Sequence, residues 1–162
     1  MNNDTSNNPI KIREANQNDL PEMLILFQDT IINVCKEDYN IAQIEAWKSG
    51  VENKERWLNV IKEQYILIAE RDNKITGFCT LAQGNYIDLL FVHKDYQHQG
   101  IAFQLYRLIE KKALHLRQKF ITADVSKTAK PFFESMNFKV IQEQTVNVKG
   151  IDLINYKMEK HL

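Results

Sequence analysis

The chain predicts an α/β fold: a mixed, mostly antiparallel, twisted central sheet with helices on both faces. Apolar runs rich in β-branched residues alternate with stretches of helical period, in the order strand, helices, three strands, helix, strand, helix, two strands. Tight turns separate the three middle strands, which therefore pair antiparallel. The strand after the long helix arrives by a crossover and so pairs parallel to its predecessor. A chain of 162 residues is long enough for one domain whose core buries about two thirds of the unfolded surface.

The elements follow in chain order. Residues 1–8 are polar and lack an apolar anchor, which predicts a disordered leader and a single domain over 9–162. Ile10 and Ile12 alternate with Lys11 and Arg13 as a half-buried strand. Asn18 or Asp19 caps the next helix, Pro21 suits its first turn, and Leu20, Leu24, Phe27, Ile31 and Val34 recur at helical spacing. Residues 38–64 stay helical but break at Ser49-Gly50, giving two shorter helices. Residues 65–69 (YILIA) and 75–81 flank Asp72-Asn73 as a hairpin, and Gly84-Asn85 turns the chain into a third strand over 86–92. A long helix then turns Ile101, Leu105, Leu108, Ile109 and Leu116 to the sheet and Arg107, Glu110, Lys111 and Arg117 to water. Residues 120–125 form the next strand, and Ser126 or Thr128 caps a short helix that tolerates Pro131 early. Strands over 138–146 and 151–158 close the chain as a hairpin around Lys149-Gly150.

Composition narrows the function. Lys plus Arg and Asp plus Glu number 21 each, so the formal charge is zero. With no basic stripe either, neither nucleic acid nor an anionic membrane is an expected partner. The apolar runs fall far short of the ~18 residues of a membrane span, and the polar start lacks a signal-peptide core. A cytoplasmic location is therefore expected. Cys35 and Cys79 form no CxxC pair and read as reduced thiols. His93, His98, His115 and His161 show no ligand spacing, so no metal is expected.

The run Gln97, His98, Gln99, Gly100, Ile101, Ala102 sits where the strand over 86–92 hands over to the long helix. The first turn of a helix leaves N–H groups without intrahelical partners and carries about half a positive charge, so it suits a phosphate. Gly100 gives a ligand access to the main chain, and Ala102 keeps the turn slim. The spacing Gln, two residues, Gly, one residue, Ala resembles the acetyl-CoA pyrophosphate loop of the GNAT superfamily of N-acetyltransferases. The texts IDLLFV before the loop and TAKPFFESMNF after the next strand are similar to the family's in the same order. The element order matches the family layout over 9–160.

The resemblance implies a parallel strand pair splayed at the cofactor site, with acetyl-CoA as co-substrate and no metal. It implies direct attack of an amine on the thioester in a ternary complex, without an acyl-enzyme. Leu90, Phe91 and Val92 would pair through their backbone with the pantetheine arm, and the diphosphate would rest on Gln97, His98, Gln99, Gly100, Ile101 and Ala102. Ser126 falls near the cofactor in this scheme, and reads equally as a plain helix cap. Phe133 stands among the cofactor positions where many relatives carry the Tyr that protonates the departing thiolate. It has no proton to give, which leaves the acid open among Tyr86, Tyr96 and Tyr156. The superfamily lines its acceptor groove with the helical region that here holds Tyr39, Trp47 and Trp57, so Tyr39 and Trp47 are candidate acceptor contacts, with core packing the alternative. The final segment forms the opposite wall. Cys79 as an acetyl carrier is the lesser reading beside a small buried thiol.

A lysine-like amine with a pKa of about 10.4 is neutral to about one part in 2,500 at pH 7, so a base is useful. Asp88 is the candidate, the one charge in an apolar strand and, by alternation, on one face with Tyr86, Leu90 and Val92. Partial burial raises such a carboxyl toward a useful range. The alternative is a carboxylate held by a neighbouring Lys, Arg or N–H. Relatives often carry a Glu two residues earlier, where this chain has Tyr86. The expected function is thus acetyl-CoA-dependent N-acetyl transfer to a small-molecule or peptide amine, by a monomer or homodimer. Its rivals are an acyl-CoA-binding module with little or no catalysis and an interaction protein whose loop binds nothing.

Overall fold

A computed structural model describes residues 8–162, so all but the last residue of the expected leader lies outside the described residues. Seven strands form one sheet: β1 (Lys11–Glu14), β2 (Tyr65–Arg71), β3 (Lys74–Ala82), β4 (Tyr86–Val92), β5 (Phe120–Ser126), β6 (Lys139–Val148) and β7 (Ile151–His161). Their spatial order is β1-β2-β3-β4-β5-β7-β6. All neighbours are antiparallel except β4 and β5. The tight turns behave as their sequences predict, with left-handed backbone at Asp72 and Asn73 and at Lys149 and Gly150.

Five helices cover both faces: α1 (Leu20–Asn33), α2 (Ile41–Lys48), α3 (Lys54–Glu63), α4 (Ile101–His115) and α5 (Lys130–Ser135). One core lies under α1, α2 and α3. There Phe27 meets Trp57 edge-on at 5.0 Å and Phe91 at 4.8 Å. The other lies under α4 and α5 and joins Ile101, Leu105 and Ile109 to Cys79, Ile121 and Phe138. The helical break expected at Ser49-Gly50 is a 3-10 turn over Ser49–Glu52.

Two local expectations need correction. The expected cap of α1 is displaced. Asn16 caps a 3-10 turn over Gln17–Asp19, while the Asp19 carboxylate takes the Asn16 N–H and a two-pronged contact from Arg13 at 2.8 Å. With its oxygens so engaged, Asp19 makes no side-chain cap on α1. On α4, Leu108 and Leu116 are 39% and 45% exposed, whereas Tyr106 and Ala113 are buried. The buried arc is centred between Ile101 and Tyr106, so Leu108 lies about a quarter turn away, and Leu116 falls past the helix end. Glu110, expected in water, is half-buried against Tyr106 and Lys160.

Gly77 on β3 sets how closely α4 approaches the sheet. A Cβ at that position would stand 3.0 Å from the Phe91 carbonyl oxygen and 3.2 Å from Ile101 Cγ2. The missing side chain lets the first turn of α4 settle against β3 and β4.

Candidate active site

The β4–β5 ladder holds for two pairs, Tyr86 with Thr122 and Ile87 with Ala123. Beyond Ile87 the two strands part. At the same point β4 bulges against β3: Leu81 pairs with Ile87 and Thr80 with Leu89, which leaves Asp88 as the extra residue. The bulge reverses the alternation. Ile87 packs into the core under α4, whereas Leu89 and Phe91 pack into the core under α1–α3. Asp88 therefore shares a face with Tyr86, and the expected sharing with Leu90 and Val92 is incorrect, since those two turn to the α4 side.

A cavity of about 660 Å³ lies between the parted strands on the α4 side. Leu90, Phe91 and Val92 line it along one edge, and Gln97, His98, Gly100, Ile101 and Ala102 close its end. Positive φ at His98 (58°) and Gly100 (79°) bends the loop so that Gly100 becomes the N-cap of α4, with no side chain capping that helix. Nothing lies within 4 Å of a Cβ built on Gly100. The first-turn N–H groups thus meet an open space, as an oxyanion site needs. Gln97 anchors the loop by donating from Nε2 to the Val92 carbonyl at 2.6 Å, and the Thr30 hydroxyl donates to the same oxygen at 3.1 Å. The Gln99 side chain turns outward, toward Arg71 and the Asp95 carbonyl.

A second cavity, of about 340 Å³, opens on the opposite face. Trp47, Leu90, Phe91, Ser126 and Ala129 line both, so the two spaces meet in the gap between the strands. The wall expected from the end of the chain is here: Leu153, Ile154 and Asn155 of β7, with Val146 and Val148 of β6. Tyr39 is held firmly, its hydroxyl donating to the Ile154 carbonyl at 2.6 Å and accepting from the Lys127 N–H at 3.0 Å. Trp47 stands against it at 5.4 Å. Trp57 is core, with its indole N–H on the Gly50 carbonyl at 3.0 Å.

Both cavity carboxylates are hydrogen-bonded. Asp88, 12% exposed at its side chain, receives both Arg56 nitrogens at 3.1 Å and Gln64 Nε2 at 2.8 Å. This is the arginine-held arrangement that stood as the alternative to a base. Tyr86 donates its hydroxyl to Asp124 at 2.8 Å, and burial, then the facing Asp124, pushes that phenol well above its ordinary pKa. It is therefore a protonated donor at neutral pH. Arg56, Gln64 and Asp124 went unremarked in the sequence. Asp124 carried the same signal as Asp88, a lone acid in an apolar strand text, whereas nothing in α3 marked Arg56 apart from other surface arginines.

The remaining candidates separate cleanly. The Ser126 hydroxyl accepts the Ala129 N–H at 3.1 Å within the turn before α5 and lines both cavities, but the expected cap by Ser126 or Thr128 is absent: the N-cap of α5 is Ala129, with no side-chain cap, and the Thr128 hydroxyl donates to Asp38. Phe133 is 3% exposed, packs edge-on against Phe138 at 5.0 Å and borders the smaller cavity, while its neighbour Phe132 borders the larger. Tyr96 lines the larger cavity, and the Tyr156 ring lies under Lys130. Cys79 is fully buried, and burial raises its thiol pKa. Burial also pushes the Cys35 thiol, beside the larger cavity, up to about 11. Among the described residues no group of three or more His, Cys, Asp or Glu gathers as a metal site would need, and no helix is long and apolar enough to cross a membrane.

Comparison with known proteins agrees with this geometry. The acetyltransferase (GNAT) domain model matches residues 35–160. The chain is 30% identical over 151 residues to YafP, an uncharacterized N-acetyltransferase of Escherichia coli, covering 93% of this chain and 95% of that one. A GCN5-related N-acetyltransferase crystal structure from Rhodopseudomonas palustris superposes with a TM-score of 0.90 at 29% identity, over 94% of this chain and 95% of the other. The PaiA N-acetyltransferase of Thermoplasma acidophilum, crystallised with coenzyme A, has the same fold at a TM-score of 0.72 and 21% identity, covering 95% and 99%. With the parted parallel strands, the uncapped α4 start and these matches together, the chain belongs to the GNAT superfamily and is an acyltransferase.

Proposed function

We propose that the protein moves the acetyl group of acetyl-CoA to an amine by direct attack within a ternary complex. The observation that carries this reading is the meeting of two cavities at the gap between β4 and β5, one ending on unpartnered helix N–H groups and the other bordered by carboxylates. The larger takes the carrier. The N–H groups of Ile101, Ala102 and Phe103 receive the diphosphate, and the apolar wall of Leu90, Phe132 and Met136 accompanies the pantetheine arm. The coenzyme A bound by the Thermoplasma relative supports that assignment. The smaller cavity takes the acceptor.

In the reaction the amine nitrogen forms a bond to the thioester carbonyl carbon and the C–S bond breaks. Starting from an ammonium, two protons leave nitrogen: one goes to the CoA thiolate and the other is released through the acceptor side. Desolvation in the apolar cavity, together with a carboxylate that accepts the proton, offsets a handicap of about 4.6 kcal/mol for a lysine-like amine at pH 7. Asp88 meets such a proton in competition with Arg56 and Gln64, which already occupy three of its roughly four acceptor positions. A thiol pKa near 8.5 makes the thiolate a tolerable leaving group, so Phe133 need not supply an acid.

Thermal unfolding with acetyl-CoA at a hundred times its dissociation constant tests the binding half. About 2.7 kcal/mol of stabilisation, or a shift of roughly 5–10 °C, is expected. CoA release over a panel of amines tests the chemistry. The engaged Asp88 and the proton-less Phe133 favour a second reading, a binder with little turnover, and a melting shift without CoA release would select it.

A further inference from the structure

Among the described residues three charged side chains line the acceptor cavity: Arg56, Asp88 and Asp124. Two of them cancel, because Arg56 grips Asp88 through both nitrogens at 3.1 Å. Asp124 is different. Its two oxygens are held by neutral donors, the Tyr86 hydroxyl at 2.8 Å and Gln144 Nε2 at 2.7 Å. Lys157, its cross-strand partner on β7, is exposed and makes no ion pair with it within 4.0 Å. Asp124 is itself exposed and remains reachable at the cavity wall. Facing it are apolar walls, with Trp47, Phe91, Val146 and Leu153 among them.

We propose that Asp124 is the residue that receives the acceptor's ammonium, and that the acceptor class is an amine on an apolar or aromatic body with no carboxylate beside it. This rests on the acetyltransferase reading and deepens it. The ammonium gains a charge-assisted hydrogen bond from Asp124 while its body replaces water on the apolar walls. A neighbouring carboxylate, as in a free α-amino acid, finds Arg56 already committed and faces Asp124 across the cavity, which selects against it.

The test is steady-state CoA release with 2-phenylethylamine, L-phenylalaninamide and L-phenylalanine, alongside melting curves with acetyl-CoA. The first two are expected as acceptors, with L-phenylalanine lower in kcat/KM by about tenfold or more. D124N is expected to raise KM for 2-phenylethylamine about tenfold, the worth of one charge-assisted hydrogen bond, while leaving the acetyl-CoA melting shift in place. D124E, which keeps the charge, restores the preference. Equal use of L-phenylalanine, an unchanged KM in D124N, or no acetylation of any of the three by a protein that acetyl-CoA stabilises overturns the assignment of Asp124. A wild-type protein that acetyl-CoA does not stabilise refutes the acetyltransferase reading itself, and this one with it.

Discussion

Replacing Gly77 by alanine tests whether the close approach of α4 to the sheet sets up the carrier site. The added methyl would sit 3.0 Å from the Phe91 carbonyl oxygen, 3.2 Å from Ile101 Cγ2 and 3.4 Å from Leu105 Cδ1. The first of these is main chain of the neighbouring strand and cannot rotate away. The other two belong to buried side chains of α4. Either β4 or the first turn of α4 must move by a few tenths of an ångström, and overpacking of this kind costs about 1–3 kcal/mol. For a domain of this size the melting temperature should fall by roughly 2–12 °C. Both segments that yield belong to the carrier cavity, so the stabilisation by a fixed concentration of acetyl-CoA should shrink as well. Gly50 supplies a control, because a methyl there meets only Phe27, at 3.7 Å, an ordinary contact. Differential scanning fluorimetry of G77A and G50A, with and without acetyl-CoA, separates the two sites. If G77A melts with the wild type, or loses stability while keeping its full acetyl-CoA response, the link between Gly77 and the loop is wrong.

Two further outcomes follow from the same geometry. The Arg13 guanidinium beside Asp19 holds that carboxyl below its usual range, so the contact contributes stability above the unfolded pKa of about 3.9 and loses it as pH falls through the folded value. D19N should be less stable than wild type by about 1–2 kcal/mol at pH 7, and urea titrations at falling pH should show the gap closing below about pH 4; a gap independent of pH would rule out the charged contact as its source. C79A should keep its turnover and show the same CoA release, because Cys79 is fully buried under α4, and an acetylated Cys79 seen by intact-protein mass spectrometry after a short reaction would reverse that view.

Elements whose cause is local were legible. The Asp72-Asn73 and Lys149-Gly150 turns, the break at Ser49-Gly50 and the handover at Gly100 depend on a few neighbouring residues, and the structure has them where the text does. Much of the loop's lining was legible for the same reason, Gln97 through Ala102 being one contiguous motif, although Gln99 turns away from the cavity. Asp88 was legible as an unusual residue but not in its orientation. Strict alternation assumes an unbroken ladder, and the bulge opposite Leu81 and Thr80 comes from pairing with β3, which no residue of β4 announces. Its partner Arg56 lies 32 positions away on another element, so that ion pair is a product of tertiary folding. The same holds for Asp124, whose partners come from β4 and β6.

The irregularity in β4 also partitions what mutation can reach. Upstream of it, positions 86 and 88 border the smaller cavity alone; downstream, position 92 borders the larger alone and position 90 borders both. Substitution at 86 or 88 therefore reshapes the smaller cavity without touching the lining of the larger. One strand thus serves two spaces, divided by a single inserted residue.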